Sequence, residues 1–358
     1  GTSKKKGKTT MIKIGIIGCG KITEVRHAPE YAENPNCKLT AFFDVVKDRA
    51  EAFAKQYDAK AYDTIEDLLA SDVDAVSVCV ANRYHAEVAI KALKAGKHVL
   101  CEKPMATTSG DCEAMVKAAR DAGKFLMIGQ NQRLAKAHAK AREIIQSGEM
   151  GKVITFETKF EHPGPEGWTG VKDSWFFDKK IASFGVMADL GVHKTDLIYF
   201  LTGKRVARTS AVLATLDKKL SDGTPISVDD NAYAIYTLED GTVGTMHVSW
   251  TNYGVEDNST KVYMQGGVLR MYDDPRYSLI VEKKDGTVTP YELDLLTSNK
   301  EQTSGGRTST GVIDAFINSI LTNTPPEISG ESAIWAMKAI FANEISAETG
   351  KAVDIELN

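Results

Sequence analysis

The sequence predicts an α/β fold in two parts, a doubly wound parallel sheet followed by an α+β domain with a large, open, mostly antiparallel sheet. Three observations carry this expectation. From Met11 to about Asn131, continuous apolar runs alternate with helical patterns of about a dozen residues, as in parallel strands covered on both faces. Beyond Arg133 the runs alternate apolar and polar residues instead. Two of the later connections carry Asp-Gly, at Asp240-Gly241 and Asp285-Gly286, the tight hairpin signal. With 358 residues, 42% hydrophobic and 26% charged, the chain is long enough to bury two sizeable cores.

Residues 1–10, GTSKKKGKTT, offer no apolar position to bury and read as an extraneous leader or a disordered tail. The parallel-sheet domain is expected over 11–131 and the second domain over 132–358. In the first, the strands are IKIGIIG, KLTAFFD, AVSVCVA, HVLCE and FLMIG, with helices such as VKDRAEAFAKQY, HAEVAIKALKAG and DCEAMVKAARDAG between them. In DTIEDLLAS, Asp63 three residues before Glu66 predicts a capped short helix. The second domain opens with the helix AKAHAKAREIIQSG. Its strands are VITFETKF, RTSAVLATL, NAYAIYTL, TVGTMHVSW, KVYMQGGVLRMY and SLIVEKK. Two late helices, STGVIDAFINSILTN and ESAIWAMKAIFANEISAETG, close the chain, the last stopped by Gly350.

The net charge of -4, with four lysines in the first ten residues, leaves an acidic body and argues against a nucleic-acid partner. No stretch approaches a membrane span and no signal peptide opens the chain, so a cytoplasmic protein is expected. Five widely spaced cysteines without a C-x-x-C pair read as reduced thiols. No clustered Cys/His pattern offers a metal site, and none is expected.

After the first strand, Gly18-x-Gly20 allows a tight turn close to a pyrophosphate. Lys21 and Ile22 open the helix whose free amides would face the phosphates. Thr23 stands where a third glycine would be, which asks for wider helix-to-strand packing. Asp44 ends the second strand, 24 residues beyond Gly20, near the ~20-residue offset at which an acid holds the ribose hydroxyls of NAD and repels the 2′-phosphate of NADP. Asn82 and the run Glu102-Lys103-Pro104 follow the third and fourth long apolar runs, at the sheet edge where such folds bind ligands. In FGVMADLGVHKTDLIYFLTG, Asp189 and His193 are four apart and would share one helix face, an arrangement that suits a histidine taking a proton from a hydroxyl.

Together, GIIGCGKI, the EKP after a strand and the D-L-G-V-H-x-x-D-L helix resemble the Gfo/Idh/MocA family of oxidoreductases, over essentially all of Met11 to Asn358. The resemblance implies a Rossmann domain binding NAD, with Gly18, Gly20, Lys21, Ile22, Asp44, Asn82, Glu102 and Lys103 as cofactor contacts. It implies Lys103 at the substrate beside the nicotinamide, and Asp189 with His193 as an acid/base dyad. In the resulting scheme His193, oriented by Asp189, takes the hydroxyl proton while Lys103 steadies the oxygen.

The same resemblance implies a small polyhydroxylated substrate, a sugar, inositol or glycoside, and a homodimer or homotetramer assembled through the second sheet. The loop FEHPGPEGWTGVKDSWFFD would supply further substrate contacts from His162, Trp168, Lys172 and Trp175, or pack as core; the residues leave both open. Two alternatives stand beside the dehydrogenase. One is an NAD-retaining glycosidase of the same superfamily, and the other a dinucleotide-dependent sensor without catalysis, against which the set Lys103, Asp189 and His193 argues.

Overall fold

The computed structural model describes residues 10–296 and 310–358; nearly all of the expected tail lies outside that range. The first sheet comprises β1 Ile12–Ile17, β2 Cys37–Phe43, β3 Lys60–Ala61, β4 Ala75–Val78, β5 His98–Cys101 and β6 Leu126–Ile128, all parallel, in the order β3-β2-β1-β4-β5-β6. This is the Rossmann order, and the strand direction of travel reverses between β1 and β4. A crevice therefore opens at their carboxyl ends, where Gly18, Val80 and, one strand further, Lys103 emerge. The strands are nearly all apolar because helices cover both faces.

The second sheet comprises β7 Val153–Glu161, β8 Val206–Ala214, β9 Asn231–Leu238, β10 Val243–Ser249, β11 Thr260–Met264, β12 Gly267–Met271, β13 Leu279–Lys283, β14 Val288–Tyr291 and β15 Val353–Asp354. Their order is β14-β13-β12-β11-β7-β10-β9-β8-β15, antiparallel except for the β7–β10 pair. Both Asp-Gly pairs turn hairpins, β9–β10 and β13–β14. One face packs on the helices Val192–Thr202 and Gly330–Thr349. Beneath it, Tyr236 Oη bonds Thr195 Oγ1 at 2.8 Å and accepts from Asn343 Nδ2 at 2.8 Å, so both helices are tied to the sheet by a satisfied buried network. The other face leaves Val212, Tyr233, Ile235 and Val243 exposed.

Several details differ from the sequence reading. Strands β3, β14 and β15 are two to four residues long, too short to show a period. KVYMQGGVLRMY is two strands, β11 and β12, folded back at Gln265-Gly266. The helix Ile65–Ala70 is capped by Thr64, whose hydroxyl accepts from Asp67 N at 3.0 Å, and not by Asp63. The late helix Val312–Thr322 returns to the first sheet, where Val312, Ile313, Phe316 and Ile317 join Ile14, Ile16, Leu39 and Phe42 in one core. A boundary at 131/132 therefore divides the sequence pattern more sharply than it divides the packing.

Candidate active site

The glycine turn is fixed by contact. Gly18 has φ +104, and a Cβ there would stand 2.4 Å from the Cys79 carbonyl of the neighbouring strand end; no other residue fits. Gly20 has nothing within 4 Å of the position a Cβ would take, which leaves room for a ligand against the backbone. Thr23 is accommodated by a wider π turn over Thr23–His27, and its hydroxyl donates to the Gly18 carbonyl at 2.6 Å. The Asp44 carboxylate accepts from Cys19 N at 2.7 Å and Val46 N at 2.8 Å. The two backbone bonds fix a negative group at the end of β2 and leave further lone pairs for a ribose. Open glycine backbone, helix start and fixed acid fit the dinucleotide that this fold implies.

From Gly20, Lys21 and Ile22 a cavity of about 570 Å³ runs to Lys103, Asp189 and His193, with Asn82, Glu102, His162, Trp168 and Trp175 also in its wall. Gly18 and Asp44 are not part of that wall. Lys172, expected at the substrate, is exposed and outside it. Asn82 donates its amide to the Ala182 carbonyl at 3.1 Å, linking the two halves of the chain. The Glu102 carboxylate, expected at the cofactor, is taken up by His27 Nε2 at 2.6 Å, and His27 Nδ1 bonds Ser77 Oγ at 2.9 Å. Burial pushes the Glu102 carboxyl up, yet His27, then Arg26 and Lys103, outweigh it and hold it down at about 2. His85 is buried, each ring nitrogen against a carbonyl, Pro104 O at 2.6 Å and Val80 O at 2.9 Å. Those contacts brace the turn that presents Lys103.

The cluster of Lys103, Asp189 and His193 departs in geometry from the expected dyad. Met187–Gly191 forms a second π turn before the helix Val192–Thr202, so the α-helical four-residue neighbour rule does not apply to Asp189 and His193. The Asp189 carboxylate instead accepts from Lys103 Nζ at 2.8 Å and from Trp250 Nε1 at 2.9 Å, and Lys103 Nζ also donates to the Asp189 carbonyl at 2.6 Å. His193 Nδ1 is buried without a partner among the described residues. Asp189 thus aims the lysine, not the histidine. Burial favours a neutral Asp189, but Lys103, His162 and Trp250 prevail and keep it below its usual value. His193 is pushed well below the histidine range, first by burial and then by the charges of Lys103, Arg26 and Lys194; it is neutral and able to accept a proton.

The widened turn is itself held. Asp229 accepts from Gly185 N and Met187 N, each at 2.9 Å, and a Cβ on Gly185 would fall 1.9 Å from the Asp229 carbonyl. One turn along, Asp196 receives Arg133 in a buried two-pronged pair, both contacts at 2.7 Å. His162, buried to about 4 in pKa by desolvation, accepts from Gly164 N at Nδ1 at 3.0 Å. Its proton therefore sits on Nε2, a donor. The aromatic loop divides its duties: Phe177 packs edge-on against Trp250 in the core, while Trp168, Trp175 and Phe176 line the cavity, the last two stacked at 4.1 Å.

Sequence reasoning did not find Trp250, Arg26, Asn131, Gln132 or Asn258. Asn131 and Gln132 follow β6 at the same sheet edge as Asn82 and Lys103, so the edge argument could have reached them. Asn258 lies in a loop with no motif.

A glycine turn on a Rossmann sheet, opening into a cavity that ends at a lysine–aspartate pair and a neutral histidine, defines a dinucleotide-dependent oxidoreductase. Residues 12–130 match the model of the oxidoreductase family with NAD-binding Rossmann fold, and residues 138–270 match that of the GFO/IDH/MocA C-terminal domain. The chain belongs to the Gfo/Idh/MocA family, and residues 12–130 are that family's NAD-binding domain.

It is 29% identical to a 1,5-anhydro-D-fructose reductase of Ensifer adhaerens, covering 89% of this chain and 91% of that one. It is 28% identical to a D-glucoside 3-dehydrogenase of Escherichia coli, covering 96% and 97%. Among solved structures, the aldose-aldose oxidoreductase of Caulobacter crescentus complexed with glycerol is similar, with a TM-score of 0.81, 25% identity and coverage of 96% and 100%.

Proposed function

We propose that the protein is an NAD-dependent dehydrogenase acting on a secondary ring hydroxyl of a sugar, inositol or glycoside. The observation that carries this reading is the placement of Lys103 and His193 at one end of a cavity whose other end is the glycine turn. Bound there, NAD would supply the hydride acceptor for the carbon bearing the hydroxyl.

His193, neutral by burial, takes the hydroxyl proton. Lys103, charged and held by Asp189, donates to the oxygen as it becomes a carbonyl. His162 Nε2 offers a further donor to a substrate hydroxyl, and Trp168, Trp175 and Phe176 offer flat faces for a sugar ring. The Asp44 carboxylate favours NAD over NADP through ribose contact and repulsion of a 2′-phosphate. The reading extends to a homodimer or homotetramer pairing the exposed face of β8, β9 and β10. In its favour, Val212, Tyr233 and His247 form one row across that face, Tyr233 stacked on His247 at 4.2 Å. Five separate buried thiols suit a reducing cytoplasm.

The test is NADH formation across a panel of inositols, free sugars and glycosides. Turnover of one class supports the reading. Glycoside cleavage without net NADH would replace it by the glycosidase chemistry, and NAD binding with no turnover by the sensor.

A further inference from the structure

One residue beyond His193, the helix Val192–Thr202 carries a lysine that the proposed chemistry does not use. Lys194 has 0% of its surface exposed. Its Nζ donates to Asn258 Oδ1 at 2.9 Å, and Gln132 Nε2 reaches the same oxygen at 3.3 Å. Both amides line the cavity that His193 lines, while Lys194 stands behind them.

Burial pulls the Lys194 amine down to about 7, with Asp257 opposing it; in its protonated form it only donates, and together with Gln132 Nε2 on the same oxygen it holds the Asn258 carboxamide oxygen inward, NH₂ toward the cavity. Gln132 spends its NH₂ on Asn258, and its Oε1 is buried with no partner among the described residues; Asn131 Oδ1 beside it is in the same condition. The wall thus presents the Asn258 donor, with two buried acceptors that lack a proton just beneath its surface.

We propose that Asn258 and Gln132, oriented by Lys194, form a specificity-determining subsite that reads a neutral hydroxyl of the substrate and rejects a carboxylate at that place. The inference rests on the dehydrogenase reading, since it requires a polyol in the cavity. A hydroxyl accepts from Asn258 Nδ2 and donates to Gln132 Oε1. A carboxylate has no proton for Gln132 Oε1 or Asn131 Oδ1 and meets them as a third set of lone pairs. Lys194 is a positioning residue, acting through the Asn258 amide.

The experiment compares wild type, Asn258→Asp and Lys194→Met on matched pairs, glucose with glucuronate and methyl glucoside with methyl glucuronide. NAD affinity is followed by fluorescence titration. Wild type should favour the neutral member of the pair that it oxidises by about 10-fold or more in kcat/KM. Asn258→Asp keeps an acceptor for Lys194 but loses the cavity donor. It should raise KM for the neutral substrate about 10-fold, with a smaller change in kcat and unchanged NAD affinity. Lys194→Met should do the same by freeing the amide to rotate, and if that variant does not fold, Asn258→Asp decides.

Equal use of acid and neutral substrates by wild type, or an unchanged KM in folded Asn258→Asp, overturns the subsite and leaves the dehydrogenase standing. NAD binding without oxidation of these pairs or of any inositol, sugar or glycoside of the panel overturns the dehydrogenase reading, and the subsite with it.

Discussion

The two ends of the cavity are built from different material. At the glycine turn the site is open backbone with side chains pinned to backbone: Gly18 is demanded by the carbonyl of Cys79, the Thr23 hydroxyl is bonded to Gly18, and the Asp44 carboxylate is clasped by two amides. At the other end the groups are side chains, and they converge from separate segments: Lys103 after β5, Asp189 and His193 on the widened helix, Trp250 after β10. A site built mainly on backbone suits binding. A side-chain site carries chemistry and has no redundancy, so single substitutions should separate binding from turnover.

The largest effect should come from removing either reacting group. Lys103→Ala and His193→Ala should each lower kcat by about 10²- to 10⁴-fold while NAD affinity, read by fluorescence titration, stays within a few-fold of wild type. A folded, NAD-binding variant of either kind with near wild-type turnover would break the division between the two ends.

The pH profile sharpens it. In the proposed scheme His193 acts in its neutral form, and burial, then Lys103, Arg26 and Lys194, hold its pKa well below the usual 6.5. The kcat/KM profile should therefore stay level as pH falls through 6.5 and decline only in more acid solution, where the imidazole takes up a proton. Lys103→Met removes one of the opposing charges, and the inflection of its residual activity should move up toward 6.5.

Asp189→Asn ranks next. Lys103 and Trp250 both donate to the carboxylate, one to each oxygen, and an asparagine offers only one oxygen to the pair. Either Lys103 or Trp250 then loses its side-chain acceptor. Turnover should fall by about 10- to 10³-fold with NAD affinity retained. If Asp189→Asn shifted the acid inflection of His193 without lowering turnover, the carboxylate would be serving the histidine after all.

How much of this was legible follows from the same division. Local backbone patterns announce themselves: apolar runs gave the central Rossmann strands, Gly18-x-Gly20 the turn, Asp-Gly the hairpins, and the offset to Asp44 the acid. Side chains that meet across the fold do not. Asp189 and His193 were placed on one face by α-helical spacing. The π turn over Met187–Gly191 is set by Asp229, whose backbone lies against Gly185 from 44 residues away. Nothing in FGVMADLG encodes that contact. Likewise Glu102 reads as an edge residue until His27, on another element, captures its carboxylate.

At the backbone end the expected effect is smaller and of another kind. Asp44→Ser removes the charge that repels a 2′-phosphate and should narrow the preference for NAD over NADP by about 10-fold or more in kcat/KM, with kcat on NAD little changed. Wild type using NADP at least as well as NAD would show that the two amide bonds exhaust the role of Asp44.

The smallest effect belongs to a pair from one loop. Lys172 and Trp175 are three residues apart, and the sequence left both open as substrate contacts or as packing. Ser174 accepts from Phe176 N at 3.2 Å, starting the turn Trp175–Phe177, and Phe177 is buried against Trp250 with ring centroids 5.7 Å apart. That anchor fixes the turn and carries Trp175, stacked on Phe176, into the cavity wall, whereas Lys172 stays on the exposed stretch before it. Lys172→Ala should leave kcat and KM within about 2-fold, as surface substitutions usually do. Trp175→Ala should raise KM about 3- to 10-fold, the loss of one ring face, with kcat less affected because the tryptophan touches no reacting atom in the proposed scheme. A reversal, with Lys172→Ala costly and Trp175→Ala silent, would mean that the loop turns over when substrate binds. The wall seen here would then be its resting side.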